Sequence, residues 1–276
     1  MKMKYFYILL FSISVESSYS QEHIIQKIWE TSPLLKTPES VLFYPEGGYL
    51  LVSNIDGEPD KKDGKGFIAK LDLEGNIIKK DWITNLNAPK GMRIYKQTLY
   101  VTDLNEIIGI DIPTGKVIKH IPITGALFLN DIAIDSKGIL YVSDTRTGKV
   151  HKIKKEKISV FIENLKRPNG LLATEQGIYL LNNGGLYHVD QYGHPILLVS
   201  GMDESTDGIE QISPDEFIVS SWSGIVYFIK LNGDKQVLLD QREQNINSAD
   251  IGYNPTSRII YIPTFFSNTV AAYQLK

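Results

Sequence analysis

The chain has 276 residues, no cysteine, 42 % hydrophobic and 22 % charged residues, and a formal net charge of −3. That composition belongs to a folded chain and excludes a disordered or fibrous one. The missing thiols exclude disulfides, thiolate metal sites and a cysteine nucleophile, and the slight acidity offers no basic field for nucleic acid.

Lys2 and Lys4 precede an apolar run from Tyr5 to Val15 that is too short to span a bilayer comfortably. Ser18 and Ser20 then place small residues at −3 and −1 of a cut before Gln21. This pattern predicts a signal peptide over 1–20 and an exported domain over 21–276, periplasmic or secreted. An N-terminal strand or membrane anchor is the competing reading. No later segment is apolar for long enough to predict a membrane span.

The stretch from Ile24 to Trp29 resembles the later segment Val117 to Pro122 and is expected to form a strand, with a short amphipathic helix as the alternative. Beyond it one phrase recurs, a β-branched and aromatic run ending in small or polar residues. Its six copies end at Asn54, Asp103, Asp144, Asn182, Ser221 and Thr264. Turn residues such as Asp72 to Gly75, Pro113 to Gly115 and Asn232-Gly233 separate further strands. Six copies over the mature length give about 43 residues each, and a four-stranded blade takes about 40–45. The expected fold is therefore all-β, a six-bladed β-propeller of four-stranded antiparallel blades. The last unit ends after its third strand, so residues 23–30 are expected to supply the fourth and close the ring.

Inner strands of a propeller converge on one axis. Counting back from each phrase aligns Glu39, Lys90, Asn130-Asp131, Asn169-Gly170, Asp207-Gly208 and Asp250 at one mouth, with an insertion, Gly57 to Gly66, near the first. Carboxylate and amide oxygens in such a ring suit a hard divalent cation, above all calcium. Asn-Gly and Asp-Gly are also common turn dipeptides, and turn chemistry alone is the competing reading.

Pro38-Glu39, Phe128 to Asp135 (with Leu129-Asn130-Asp131-Ile132), Arg167-Pro168-Asn169-Gly170 and Thr206-Asp207-Gly208-Ile209 resemble the SMP-30/gluconolactonase/LRE-like propellers over essentially the whole mature chain. Leu129 to Ile132 is also similar to a phrase of the paraoxonases. The resemblance implies a divalent metal, often calcium, held by Glu39, Asn169 and Asp207, with Asn130 as a further ligand or substrate contact. It also implies hydrolysis of lactones. Two departures bear on substrate. Phe128 stands where such lactonases often carry an arginine, and Lys90 is expected to project from the rim, either against the metal or an anionic substrate or simply into solvent.

These readings give an expected metal set of Glu39, Asn169, Asp207, Asn130 and Asp250. They make Asp207 or Asp131 the proton acceptor and Asn130, Lys90 and Phe128 the substrate contacts. The alternative is a non-catalytic exported propeller, a monomer like the first, that binds a small molecule or a protein partner. Trp222, Phe265 and Phe266 are expected to pack between blades. The five histidines form no metal-ligating spacing, no phosphate-binding glycine loop or G-x-S-x-G elbow occurs, and Lys152 to Lys157 reads as a solvated hairpin.

Overall fold

The computed structural model describes residues 23–276. The expected signal peptide lies outside them. Six four-stranded antiparallel sheets follow one another around a ring. Blade 1 is built from Pro38–Tyr44, Tyr49–Asn54, Gly66–Leu71 and Ile77–Leu86. Blades 2 to 5 repeat the plan, with inner strands Pro89–Tyr95, Leu129–Ile134, Pro168–Thr174 and Thr206–Ser213. Each recurrent phrase forms the second strand of its blade, as in Thr98–Asp103 and Leu140–Asp144.

Blade 6 contains Gly252–Asn254, Ile259–Pro263 and Val270–Leu275, and its outer strand is Ile25–Glu30. The N-terminal segment is thus a strand, antiparallel to Val270–Leu275 with Ile25 opposite Leu275 and Glu30 opposite Ala271. It covers the exposed edge of Val270–Leu275, whose unpaired amides and carbonyls a helix would have left open. Trp29 seals the junction from outside. Its indole N–H donates to Leu73 O at 2.9 Å, and its ring lies 5.9 Å from that of Tyr261.

Packing runs from blade to blade. One cluster joins Val41, Leu50 and Val52 of blade 1 to Tyr261, Val270 and Ala272 of blade 6, and another joins Leu181 and Leu186 of blade 4 to Val219 and Tyr227 of blade 5. The β-branched and aromatic residues of the recurrent phrase supply these faces, because alternate residues of a strand point to opposite sides. Among the described residues no helix is long and apolar enough to cross a membrane.

Candidate functional site

The end of the phrase shapes the mouth. Asp103 accepts the backbone N–H groups of Asn87 and Ala88 at 2.9 and 2.7 Å. Asp144 accepts those of Leu127 and Phe128, Asn182 that of Arg167, and Asn54 that of Lys36. In each case the loop entering the inner strand is clamped by the last residue of the second strand of its own blade.

One step earlier, a hydroxyl performs a second task. The inner strands break register just after their first residue, between Pro38 and Ser40, Pro89 and Met92, Leu129 and Ile132, Pro168 and Leu171, and Thr206 and Ile209. An extra residue of this kind is unpaired and re-aims a side chain. Ser53, Ser143 and Ser220 accept the freed N–H groups of Ser40, Asp131 and Gly208 through their hydroxyl oxygens at 2.9–3.0 Å. The irregular steps carry Glu39, Lys90, Asn130, Asn169 and Asp207, and all five line one cavity of about 280 Å³ at the end of the axis.

Within that cavity the Nδ2 of Asn169 donates to Asp207 Oδ1 at 2.9 Å, and the Nδ2 of Asn130 donates to Thr145 Oγ1 at 3.2 Å. Asn169 Oδ1 and Glu39 Oε2 are buried without a hydrogen-bond partner among the described residues. Burial raises the Glu39 carboxyl well above its ordinary range, with Asp207 adding repulsion and Lys90 opposing it. Burial, with the charge of Asp131, pushes Asp207 up to about 7, against the hydrogen bond from Asn169. Two carboxyls disfavoured as anions, one of them with an orphaned oxygen, beside the orphaned amide oxygen of Asn169 make a donor set that a cation would satisfy. Among the described residues no three His, Cys, Asp or Glu side chains gather as a metal cluster. The set here is two carboxyls with amide oxygens.

Asp131 and Asp250 do not line the cavity. A parallel bridge sets Asp250 level with Ser40, one residue deeper than Glu39. Its carboxylate accepts the Ser40 hydroxyl at 2.5 Å. Counting from the aromatic of each phrase aligned Asp250 with Asn130, but Tyr261 stands opposite Gly252 whereas Tyr141 stands opposite Ala133, so the paired register puts Asp250 level with Asp131. Asp131 is also buried, and its oxygens accept the N–H groups of Ile132 and Leu171, each at 2.7 Å. These hydrogen bonds give both acids interblade roles and commit both Asp131 oxygens, whereas Asp250 keeps its Oδ1 buried without a hydrogen-bond partner among the described residues, one residue below the cavity lining.

Lys90 is not a rim residue either. It is 1 % exposed, and its ammonium donates to Ala88 O at 2.9 Å and Pro59 O at 3.1 Å while lying 4.4 Å from the Phe128 ring centroid. Burial lowers its pKa, against the pull of Glu39 and Asp103. Pro59 belongs to the blade 1 insertion, which Arg146 holds a second time through Asp60 at 2.8 Å. Arg146 also lies 4.9 Å from the Phe128 ring.

The remaining lining includes Ile55, Thr145, Trp222, Phe265 and Phe266. Sequence reasoning did not place these at the mouth. The signal was present: Ile55, Thr145, Trp222 and Phe265 each directly follow the end of a recurrent phrase, where the chain leaves the second strand at the mouth end. Phe265 packs inward with Ile55, Ala88 and Leu104, as expected for an interblade aromatic. Trp222 and Phe266 depart from that expectation and stand 37 % and 65 % exposed.

No family model matches the sequence, and no curated protein sequence matches it. Solved structures share its fold. A streptogramin B lyase matches with a TM-score of 0.69 at 11 % identity, over 92 % of this chain and 98 % of the lyase. A "putative gluconolactonase" gives 0.69 at 14 % identity over 93 % of each chain. A catalytically inactive variant of virginiamycin B lyase from Staphylococcus aureus, solved with quinupristin, gives 0.64 at 13 % identity, over 92 % of this chain and 99 % of that one. At these identities the likeness is one of fold, a six-bladed propeller.

Proposed function

We propose that this propeller is an exported, metal-dependent hydrolase of the lactonase or esterase type, related to the SMP-30/gluconolactonase-like propellers. The observation that carries the reading is the convergence of Glu39, Asn169 and Asp207 in one axial cavity, with Glu39 Oε2 and Asn169 Oδ1 buried and unpartnered. Glu39, Asn169 and Asp207 would hold the cation, with the Asn130 amide oxygen as a further donor. Calcium suits these hard oxygens. When bound, the ion supplies Lewis-acid polarisation of an ester or lactone carbonyl.

The chain's own groups do the rest. Asn169 holds Asp207 by its Oδ1. The value of about 7 for Asp207 belongs to the metal-free site. Beside a bound cation Asp207 would stay ionised, and its carboxylate would then take the proton of the attacking water. Asn130, fixed by Thr145, orients the substrate. Lys90 adds a fixed positive charge close to Glu39 and to a carbonyl held in the cavity.

The test is hydrolysis of phenyl acetate and simple lactones with calcium or with chelator. Turnover should depend on calcium and fall at least a hundredfold in both Asp207→Asn and Asn169→Ala. Turnover that survives both substitutions rejects the mechanism. A non-catalytic binding propeller is the second reading. Lys90 favours it, since one buried ammonium already offsets part of the acidic charge. Calcium-dependent turnover would reject that reading. Export rests on residues 1–20, and an N-terminus at Gln21 in the secreted or periplasmic protein would support it.

A further inference from the structure

The cavity has two unlike sides. Its polar side chains have largely committed their donors inside the protein. Lys90 gives two N–H groups to Ala88 O and Pro59 O, Asn130 one to Thr145, Thr145 its hydroxyl to Pro168 O, and Asn169 one to Asp207. Arg167, exposed at the edge of the cavity, makes no side-chain hydrogen bond among the described residues, and the orphaned oxygens of Glu39 and Asn169 are those assigned to the cation, so a polyhydroxylated ligand would find few free partners on this side beyond that one guanidinium. The Phe128 ring already meets two cations.

The opposite side is aromatic and free. Trp222 meets Phe265 and Phe266 edge to face, with ring centroids 5.7 and 6.0 Å apart, and Phe265 meets Phe266 at 4.8 Å. The wall is fixed from behind. The Trp222 N–H donates to Ser205 O, and its carbonyl accepts from the Asn247 side chain. Phe265 holds φ at +49°, a left-handed conformation that a bulky residue rarely adopts. A short 3-10 turn, Phe265–Ser267, keeps it there, and Asn268 beyond the turn accepts the Thr37 N–H at 2.8 Å. Backbone strain of this kind persists where the surroundings over-determine it, and here it supports an aromatic face exposed to solvent beside the polar ring.

We propose that Trp222 and Phe266 are the specificity-determining wall of this site, and that its substrate is an ester or lactone with an aryl or alkyl substituent near the carbonyl rather than a sugar lactone. The inference rests on the hydrolase reading for the reacting group, but the wall itself is read from binding. Aromatic faces left free beside a carbonyl-binding ring bury an apolar substituent at the expense of water.

Calorimetric titration with lactams, which keep the ring carbonyl and resist hydrolysis, separates the two ideas. The probes are 2-pyrrolidinone, its 5-phenyl derivative and glucono-δ-lactam, each with calcium present. The phenyl compound should bind at least tenfold more tightly than the parent and more tightly than the sugar lactam, as burial of one ring implies. Phe266→Ala and Trp222→Ala, whose folding is checked by melting, should each cut that ratio severalfold. Equal affinities, a preference for the sugar lactam, no binding at millimolar concentration, or a phenyl preference intact in the double variant would overturn the proposal. Selective lactam binding without turnover of the matching lactones supports the wall and rejects the hydrolase.

Discussion

Asp131 and Asp250 show how one residue along an inner strand changes what an acid does. Glu39 and Asp207 face a cavity, while the two aspartates one step deeper join neighbouring blades. Gly91 leaves the room: a Cβ there would stand 2.4 Å from Asp131 Oδ1 and 2.7 Å from Asp131 Cα. Gly91→Ala should therefore destabilise by about 2 kcal/mol, because the blocking atoms include backbone. Asp131→Ala leaves the buried Ile132 and Leu171 N–H groups without their acceptor and should cost about 3 kcal/mol, with Asp131→Asn milder because its amide oxygen still accepts one of them. Urea denaturation of the three variants checks both effects. These roles were hard to read from sequence. An acid that accepts backbone amides and an acid that faces a ligand have the same letter, and only the paired register separates Asp250 from the ring above it.

The blade was legible as an element because its parts repeat. The β-branched phrase, the turn residues and the period define four strands each, and the unmatched third strand at the C-terminal end required a partner that Ile25–Glu30 provides. The irregular step in the inner strands was not legible. It is a property of backbone pairing, and its trace in the sequence is indirect: a hydroxyl at Ser53, Ser143 or Ser220 followed by a polar residue. The convergence of Glu39, Asn169 and Asp207 was readable through spacing. The aromatic wall left a weaker trace, because Trp222 and Phe265 share a position just after the recurrent phrase but residue type there varies from blade to blade, and Phe266 lies one step beyond it. The seam makes a direct prediction. Trp29→Ala removes the indole contact with Leu73 and Tyr261 and should cost about 2 kcal/mol, with blade 6 losing amide protection before the other blades in hydrogen exchange. Uniform loss of protection would contradict a localised seam.

At the scale of the whole molecule the axis is an ionic column. Below Asp131 and Asp250, Arg93 lies 3.8 Å from Glu210 and is 13 % exposed in its side chain. Burial pushes the Glu210 carboxyl up to about 7 from an ordinary 4.5, with Arg93 pulling it down and Asp131 pushing it up. A raised value means that the folded chain holds this proton more tightly than the unfolded chain does. The resulting stability is present in full below about pH 4.5 and is lost as pH rises through 7. The shift corresponds to on the order of 3 kcal/mol. Asp207, also pushed up to about 7, adds to the same slope. Melting temperature in chelator should fall between pH 5 and pH 8, and Glu210→Gln should flatten that fall. Calcium should raise the melting temperature most at the alkaline end, where the mouth carboxyls are ionised; at 100 times the dissociation constant, a ligand specific to the folded form contributes about 2.7 kcal/mol.

The N–H of Lys276 donates to Ile24 O at 2.9 Å, and Ile24 donates back to Lys276 O at 3.3 Å. The segment at Ile24 therefore waits for a partner that follows it only after all six blades. During translation, blades 1 to 5 emerge in order with their own strands, while the segment from Ile25 to Glu30 has no mate until Leu275 has cleared the ribosome. A nascent chain halted anywhere before that point carries an open ring, with a strand in search of hydrogen bonds, and is in the state most readily kept unfolded by a chaperone or captured by another unfinished copy.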